Sequence, residues 1–226
     1  MKRLVILALV CLSLAACQSH TVIDWVDFIQ FEGKHYTSVD SAVINEESGI
    51  GKKTGEVNFK VADNISNPNY QVKNGDAAFW EKGTDLFKVN GLPELLAVAD
   101  EHEVNGYRLY VEEQAGKDFP HHFKDVDLER VKSIEIYTGE NVPELLNRIT
   151  GAGELEEFKR LLTEAYIPPP PEGKAEQQDP DIYQMVLYTD AKLAHSFYLY
   201  KENEQWLWHP WDQQFLPDEI GKLIKP

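Results

Sequence analysis

Histidine and carboxylate side chains are the residues of this sequence that could bind a metal ion or transfer protons. The chain contains 7 His and 38 Asp or Glu residues. His121 and His122 are adjacent, so in a strand their side chains point to opposite faces and do not readily share a metal. The segment Glu101-His102-Glu103 offers carboxylates on one face only, and no His-Glu-x-x-His pattern occurs. We therefore predict no metal site and no cofactor.

Two pairs of aspartates have a spacing that could serve calcium binding or acid–base catalysis. Asp125 and Asp127 lie two residues apart, as do Asp179 and Asp181, so each pair would share one face of a strand. Neither pair is followed by the glycine and distal glutamate of an EF-hand loop. A glycosidase needs two carboxylates across a cleft, one of them in apolar surroundings, which spacing alone does not reveal. Weak binding of a divalent cation or solute and a carboxylate-dependent envelope hydrolase therefore stay as alternative functions.

Motifs for nucleophilic catalysis and phosphate binding are missing from the sequence. No Gly-x-Ser-x-Gly occurs, and no Ser-x-x-Lys is accompanied by the other motifs of penicillin-binding enzymes. The segment Gly49–Thr54 lacks the full spacing of a phosphate-binding loop. These absences favour a protein that is not an enzyme.

The N-terminal segment places one cysteine thiol where it could be modified with lipid. Lys2 and Arg3 precede the uncharged run Leu4–Leu14, which is typical of a secretory signal and shorter than the roughly 20 residues of a membrane-spanning helix. The tetrad Leu14-Ala15-Ala16-Cys17 follows, with small residues before the thiol. This order of segments resembles the signal peptide and lipobox of bacterial lipoproteins. The resemblance implies cleavage before Cys17 and acyl chains on that residue.

The lipobox resemblance covers residues 1–17 and predicts where the protein resides. It implies a signal peptide at 1–16 and a lipidated tether at 17–23, and two acyl chains hold a protein stably on a bilayer. We expect a lipid-anchored protein on the extracytoplasmic face of the cell membrane. Gln18 is not the aspartate that commonly retains lipoproteins in the inner membrane of Gram-negative bacteria. In a Gram-negative cell the outer membrane is therefore an allowed destination.

The charge and cysteine content of the mature chain restrict its partners. Loss of Lys2 and Arg3 takes the net charge from −16 to −18, which disfavours binding to nucleic acid or to an anionic lipid surface. Cys11 leaves with the signal peptide and Cys17 carries the lipid, so the folded part has no disulfide and no thiolate site. The expected partners are the bilayer, through the acyl anchor, and a cell-wall glycan or an envelope protein.

Aromatic side chains near the C-terminus could form a binding surface. Tyr198 and Tyr200 share a face of one predicted strand, Trp206 and Trp208 share a face of the next, and Trp211 follows. If exposed, these rings would form a stacking surface for sugars or a partner chain. If packed beneath helices, they would form the core. We favour the core, because the predicted strands there have few other large apolar groups.

Short β-strands are predicted throughout residues 24–116. Apolar and turn residues indicate one hairpin around Gly33 and another closed near Asn105-Gly106. Residues 40–54 are expected to be mostly loop. Further strands are predicted at 55–61, 77–80, 85–89, 95–99 and 107–111. This spacing favours a β-rich domain at 24–116 with the form of a small barrel or sandwich.

Residues 120–226 are predicted to form an α+β domain, an antiparallel sheet with one or two packed helices. Pro143 is expected to open a helical turn through Ile149, and a stripe of apolar residues predicts a helix at 154–165. A terminal helix is expected from Pro217. Strands are predicted at 131–137, 182–188, 196–200 and 205–208. The whole chain is thus assigned to the α+β class.

Two internal segments carry a second resemblance. Asp24–Phe28 with Lys34-His35-Tyr36, and the segment Asn74–Thr84, are similar to uncharacterised surface lipoproteins of Gram-positive bacilli. The similarity covers about half of the chain and implies no activity or catalytic residue. It favours the outer face of a Gram-positive cytoplasmic membrane. Together these observations predict a membrane-anchored extracytoplasmic lipoprotein that acts as a non-catalytic binding or interaction module.

Overall fold

The computed structural model describes residues 23–139, 141–167, 179–202, 204–209 and 214–224. The predicted signal peptide, the lipidation site Cys17, the four prolines at 168–171 and Trp211 lie outside the described residues.

The described chain is mostly β. Its strands are β1 Phe28–Phe31, β2 Lys34–Val39, β3 Ala42–Ile44, β4 Ile50–Glu56, β5 Phe59–Lys60, β6 Asp76–Ala77, β7 Asp85–Val89, β8 Leu92–Ala99, β9 Tyr107–Glu112, β10 Ser133–Thr138, β11 Leu145–Ile149, β12 Asp181–Tyr188, β13 Leu193–Glu202, β14 Gln205–His209 and β15 Phe215–Leu216. The helices are α1 Glu113–Gly116, α2 Ala152–Thr163 and α3 Gly221–Ile224, with single 3-10 turns at 47–49, 104–106, 123–125, 128–130 and 218–220. The predicted α+β class is therefore only partly confirmed, because α2 is the one described helix longer than four residues.

The strands form two sheets. The first is an eight-stranded curled half-barrel in the order β4-β7-β8-β9-β2-β1-β6-β5, antiparallel except for the parallel pair β5–β6. The second is a seven-stranded antiparallel sheet in the order β11-β10-β12-β13-β14-β15, with β3 also paired to β13.

Both hairpins predicted in the first sheet are confirmed. In the β1–β2 hairpin, Glu32 and Gly33 occupy the turn with φ values of 49° and 76°. Two positive φ values match the twist of the adjoining strands, which is the geometry of a tight hairpin turn. The β8–β9 hairpin pairs Ala99 with Tyr107 and closes over Asn105-Gly106. Turn residues at these positions thus marked both hairpins in the sequence.

The helical turn predicted after Pro143 is wrong. Residues Leu145–Ile149 form the edge strand β11, in which Ile149 lies opposite Ile134 of β10. Ile149 is fully buried against the core below α2. Pairing with β10 satisfies one edge of this segment's backbone and buries its apolar end, which a single isolated helical turn would not do.

The loop predicted at 40–54 is also wrong in large part. Ala42–Ile44 forms β3, whose three residues are all buried, and β4 begins at Ile50. β3 is too short to show an alternating pattern. It is a strand because residues 193–195, about 150 positions away, supply its hydrogen-bonding partner.

Helix α2 covers the second sheet, close to where the apolar stripe predicted it. It spans Ala152–Thr163 instead of 154–165 and buries Leu155, Phe158, Leu161 and Leu162. These side chains share one core with residues such as Trp208. The predicted terminal helix is short, a 3-10 turn at 218–220 followed by α3.

Strand β3 joins the two sheets through its two faces. Ala42 and Ile44 pack in the cluster of Val89, Leu95 and other first-sheet residues. Val43 packs on the opposite side with second-sheet residues. The β3 backbone is hydrogen-bonded to β13. Strand β3 therefore belongs to the second sheet by its hydrogen bonds, while two of its side chains pack in the core of the first sheet.

Candidate functional site

An open apolar cleft lies where β3 and the start of β13 meet the first sheet. Its volume is about 630 Å³, within the range of small-molecule sites in proteins. Its apolar lining is Ala42, Leu92, Ala115, Phe119, Pro120, Ala191, Leu193 and Ala194. Its polar lining is Glu94, Asp118, Lys192 and His195. An apolar body with a few polar groups around it is what a pre-formed ligand site requires.

Four segments far apart in the chain build this cleft. The antiparallel pair Ala42↔His195 brings the β3 and β13 segments side by side. The beginning of β8 contributes Leu92 and Glu94, and α1 with the segment after it contributes residues 115–120. Within that last segment, the backbone N–H groups of Asp118 and Phe119 donate to the Ala115 and Gly116 carbonyls at 3.2 Å. These two bonds form the turn that carries residues 118–120.

Lys192 connects the cleft to the first sheet through a hydrogen bond. Its ammonium donates a 2.8 Å hydrogen bond to the backbone carbonyl of Asn90, in the β7–β8 turn. The Asn90 side chain in turn donates to the carbonyls of Ser48 and Ile50 at 3.2 and 3.3 Å. The Lys192 carbonyl also accepts from the Asn45 N–H at 3.0 Å. One end of the cleft is therefore held by a network that spans both sheets.

Glu94 and Asp118 bring two carboxylates to the cleft. Glu94 is half-buried and Asp118 is exposed. Within the described part of the chain, neither carboxylate has a hydrogen-bond or ion-pair partner. Among the described residues of the lining, Lys192 is the one cation, so this part of the lining carries an excess of negative charge when the carboxylates are ionised.

His195 supplies a half-buried imidazole to the cleft. Burial lowers the pKa of His195 below its ordinary value of 6.5, and the opposing effect of the Asp125 charge is smaller. The ring is therefore mainly neutral at pH 7 and presents one donor and one acceptor nitrogen.

The adjacent histidines of the sequence have separate local partners. The His121 Nδ1 lies 3.2 Å from the Ser41 hydroxyl, and its ring packs 5.5 Å from that of Phe119. The His122 backbone N–H donates to the Asp125 carboxylate at 3.1 Å. Among the described residues, no group of three or more His, Cys, Asp or Glu side chains is arranged to hold a metal ion.

The two aspartate pairs do not form a common site. Asp125 accepts the His122 N–H, and Asp127 accepts the Glu129 N–H at 3.2 Å, so both cap short helical turns. Asp181 accepts from the Tyr183 hydroxyl at 3.4 Å, and Asp179 is exposed.

A cluster of charged side chains around Arg108 forms a second candidate site. The guanidinium lies 2.6 Å from Glu103, 3.4 Å from Asp100 and 3.4 Å from Asp27. Tyr110 donates a 2.9 Å hydrogen bond to Asp27. Three carboxylates thus converge on one cation.

Burial shifts the pKa values of this cluster. It raises the pKa of Glu103 to about 7, against the opposing charge of Arg108. Burial also raises the pKa of Asp27, despite hydrogen bonds from Tyr110 and Arg108. In the second sheet, burial and the charge of Glu103 raise the pKa of Tyr198 to about 12. The cluster therefore couples electrostatically to the neighbouring sheet, but none of these residues lines the cleft.

Two tryptophans of the possible stacking surface are buried. Trp206 and Trp208 are 5% and 1% exposed and lie in the core beneath α2, as the favoured alternative predicted. The pairing of Leu199 with Trp208 places Tyr198 and Tyr200 on the opposite face of the sheet. The stacking alternative is therefore contradicted for the two tryptophans, because their rings are covered by other core side chains.

Sequence reasoning missed every described residue that lines the cleft. Glu94, Asp118 and Lys192 belong to no motif and lie in three separate segments. The topology that brings them together depends on the β3–β13 pairing, for which the sequence carries no local signal.

Comparison with protein-family models, curated proteins and solved structures found no match for this chain. In the part of the chain that the structure describes, no helix has both the length and the apolar character needed to cross a bilayer.

Proposed function

We propose that this protein is a lipoprotein, anchored through acyl chains on Cys17 to the extracytoplasmic face of a cell membrane, whose folded part binds a ligand in the cleft. The cleft is the observation that carries the binding role. It combines an apolar lining with four polar side chains in a space of about 630 Å³, which is the usual composition of a ligand site.

The binding role does not require catalysis. A hydrolase that works through carboxylates needs one of them, with a raised pKa, within reach of a substrate. Glu103 has such a pKa, but its carboxylate is engaged by Arg108 and is not part of the cleft lining. Among the described residues, this arrangement favours a binding module over the hydrolase alternative, and the geometry offers no specific support for binding of a divalent metal ion.

The charge of the mature chain is compatible with the proposed location. An acidic folded part is repelled by anionic lipid headgroups, so it would stand away from the bilayer at the end of its tether. There it can meet a cell-wall glycan or an envelope protein. We favour the Gram-positive cytoplasmic membrane, on the basis of the resemblance of residues 24–28, 34–36 and 74–84.

The anchor is tested by Cys17→Ser. Without the thiol, no diacylglyceryl group can be transferred, so we expect the variant to leave the membrane fraction. The expected result is loss of acyl labelling in cells fed a clickable palmitate analogue, with the protein recovered in the soluble fraction. Membrane retention of the variant with undiminished labelling would refute the anchor.

The binding role is tested by thermal denaturation of the Cys17→Ser protein with peptidoglycan fragments and wall polymers. A ligand at about 100 times its dissociation constant stabilises the folded state by roughly 2.7 kcal/mol. Ala115→Trp places a large ring in the cleft and should abolish the shift. Ala99→Trp is the matched control, because Ala99 is exposed and outside the lining. A shift that survives in Ala115→Trp would place the ligand elsewhere.

A further inference from the structure

We infer that the cleft selects molecules with an apolar body and one protonated amine. This inference rests on the proposed binding role of the cleft and adds the chemical class of its ligand. It follows from two separate properties of the lining, its apolar surface and the sign of its unpaired charge.

The apolar part of the ligand is defined by the side chains that line the cleft. Leu92, Phe119, Pro120 and Leu193 present aliphatic and aromatic carbon at the surface of the cleft. Contact between an apolar ligand and these side chains removes apolar surface of both from water, which is favourable in proportion to the area removed. A strongly hydrated molecule such as a bare inorganic ion would leave this surface uncovered. The lining therefore favours an organic ligand.

The charged part of the ligand is defined by Glu94 and Asp118. These carboxylates lack partners among the described residues. Glu94 is half-buried, so its carboxylate is partly desolvated and a cation that comes close to it recovers interaction energy lost from water. Asp118 is exposed and adds a second negative charge to the lining. A protonated amine offers both the charge and up to three N–H donors.

The other polar lining residues do not cancel this preference. Lys192 already donates to the Asn90 carbonyl at 2.8 Å, which directs its ammonium toward the β7–β8 turn. His195 is mainly neutral at pH 7, because burial lowers its pKa. Two carboxylates against one ammonium give the described lining a net negative charge. The high negative charge of the whole chain acts in the same direction.

Three probes that share the same apolar chain and differ in charge separate the effect of the apolar lining from the effect of the carboxylates. Hexylamine, hexanol and hexanoate share a six-carbon chain and carry a positive, neutral and negative head group at pH 7. Binding to the Cys17→Ser protein would be followed by chemical-shift titration of backbone amides in low salt. We expect shifts at cleft residues and the order hexylamine, then hexanol, then hexanoate. Hexylamine should bind roughly fivefold more tightly than hexanol, as expected for partly exposed charge pairs.

Variants of the two carboxylates test whether these side chains cause the preference for the amine. The double variant Glu94→Gln, Asp118→Asn keeps the shape of both side chains and removes their charge. It should bring hexylamine to the affinity of hexanol while leaving hexanol unchanged. Glu113→Gln is the matched control, because Glu113 lies exposed on α1 outside the lining. This variant should keep the preference for the amine.

The outcomes distinguish the inference from the function on which it rests. Equal affinities for hexylamine and hexanol, or tightest binding of hexanoate, would overturn the amine preference and leave the cleft as a binding site. An amine preference that persists in the double variant would overturn the assignment to Glu94 and Asp118. No binding of any probe would overturn both the inference and the cleft as the ligand site.

Discussion

The Arg108 guanidinium lies 2.6 Å from the Glu103 carboxylate, and yet burial holds the pKa of Glu103 up at about 7. The ion pair therefore does not fully compensate the loss of hydration of the carboxylate. A buried charge pair commonly behaves in this way, because desolvation of both ions offsets their attraction. The side chain of Glu103 is only 15% exposed.

This relationship predicts a pH-dependent stability. The pKa of Glu103 is higher in the folded state, about 7, than its ordinary value of 4.5. The folded state therefore binds more protons between these values, and the stabilising contribution of Glu103, full below pH 4.5, is lost as the pH rises to 7. Comparing Glu103→Gln with the parent protein between pH 4.5 and 8 should show a change in relative stability of at most roughly 3 kcal/mol.

The sign and origin of that effect can be checked in urea titrations at each pH. The variant should gain stability relative to the parent protein as pH rises. Glu101→Gln is the control, because Glu101 is exposed nearby. Burial lowers the pKa of His195, so the contribution of His195 to stability is lost as pH falls, a trend opposite to that of Glu103. Because His195 is present in both proteins, its effect cancels in the difference between Glu103→Gln and the parent. A constant difference at all pH values would show that Glu103 titrates normally.

Removing the Tyr110 hydroxyl should destabilise the first sheet. Its oxygen accepts a 2.5 Å hydrogen bond from the Trp80 indole and donates to Asp27 at 2.9 Å. Tyr110→Phe leaves two half-buried polar groups without that partner, so we expect a loss of about 1–3 kcal/mol in the free energy of unfolding. Tyr107→Phe, on the same strand, is the comparison and should change stability less. Equal effects would mean that the hydroxyl bond contributes nothing specific.

Truncation of Trp208 tests whether the tryptophans serve the core or a binding surface. The ring is 1% exposed and lies 4.8 Å from Phe123 and 5.4 Å from Phe197, centroid to centroid. Trp208→Ala should lower the free energy of unfolding by about 3–5 kcal/mol. Phe79→Ala, which removes a 48% exposed ring, should change it by less than about 1 kcal/mol. An unchanged melting temperature for Trp208→Ala would contradict the core placement.

Strand β3 should make the two sheets unfold together. Ile44 is fully buried in the first-sheet cluster while its backbone pairs with Leu193 of the second sheet. Ile44→Ala should cost about 2–5 kcal/mol. Hydrogen exchange followed by mass spectrometry should then show faster exchange in β8 and β12 alike. Faster exchange in one sheet alone would show that the sheets open independently. Val142→Ala is the control, because Val142 is 49% exposed.

Local patterns in the sequence were sufficient for much of the fold. The turn at Gly33, the turn at Asn105-Gly106 and the apolar stripe of α2 were identified because the residues that determine them are neighbours along the chain. The aromatic residues Trp206 and Trp208 were assigned to the core for a similar reason, since the adjoining strands offered little else to fill it.

The segment at 145–149 shows where local reasoning fails. Pro143 and the spacing of Leu145, Leu146 and Ile149 suit a helical turn as well as a strand. Only the free edge of β10 decides between them, and that edge is created by strands elsewhere in the chain. A short apolar run has too few residues for its periodicity to be decisive.

By itself, the sequence determined the acidic charge of the chain and the turns of both hairpins, since each turn depends on residues close together in the chain. The lipid anchor stays a prediction. The tertiary structure alone decided the candidate site. Ala42 and His195 become neighbours only when β3 crosses to β13, and that pairing also gathers Glu94, Asp118 and Lys192 around one cleft. Contacts between residues so far apart depend on the complete pairing of strands and on the burial that accompanies it, for which no single segment carries a signal.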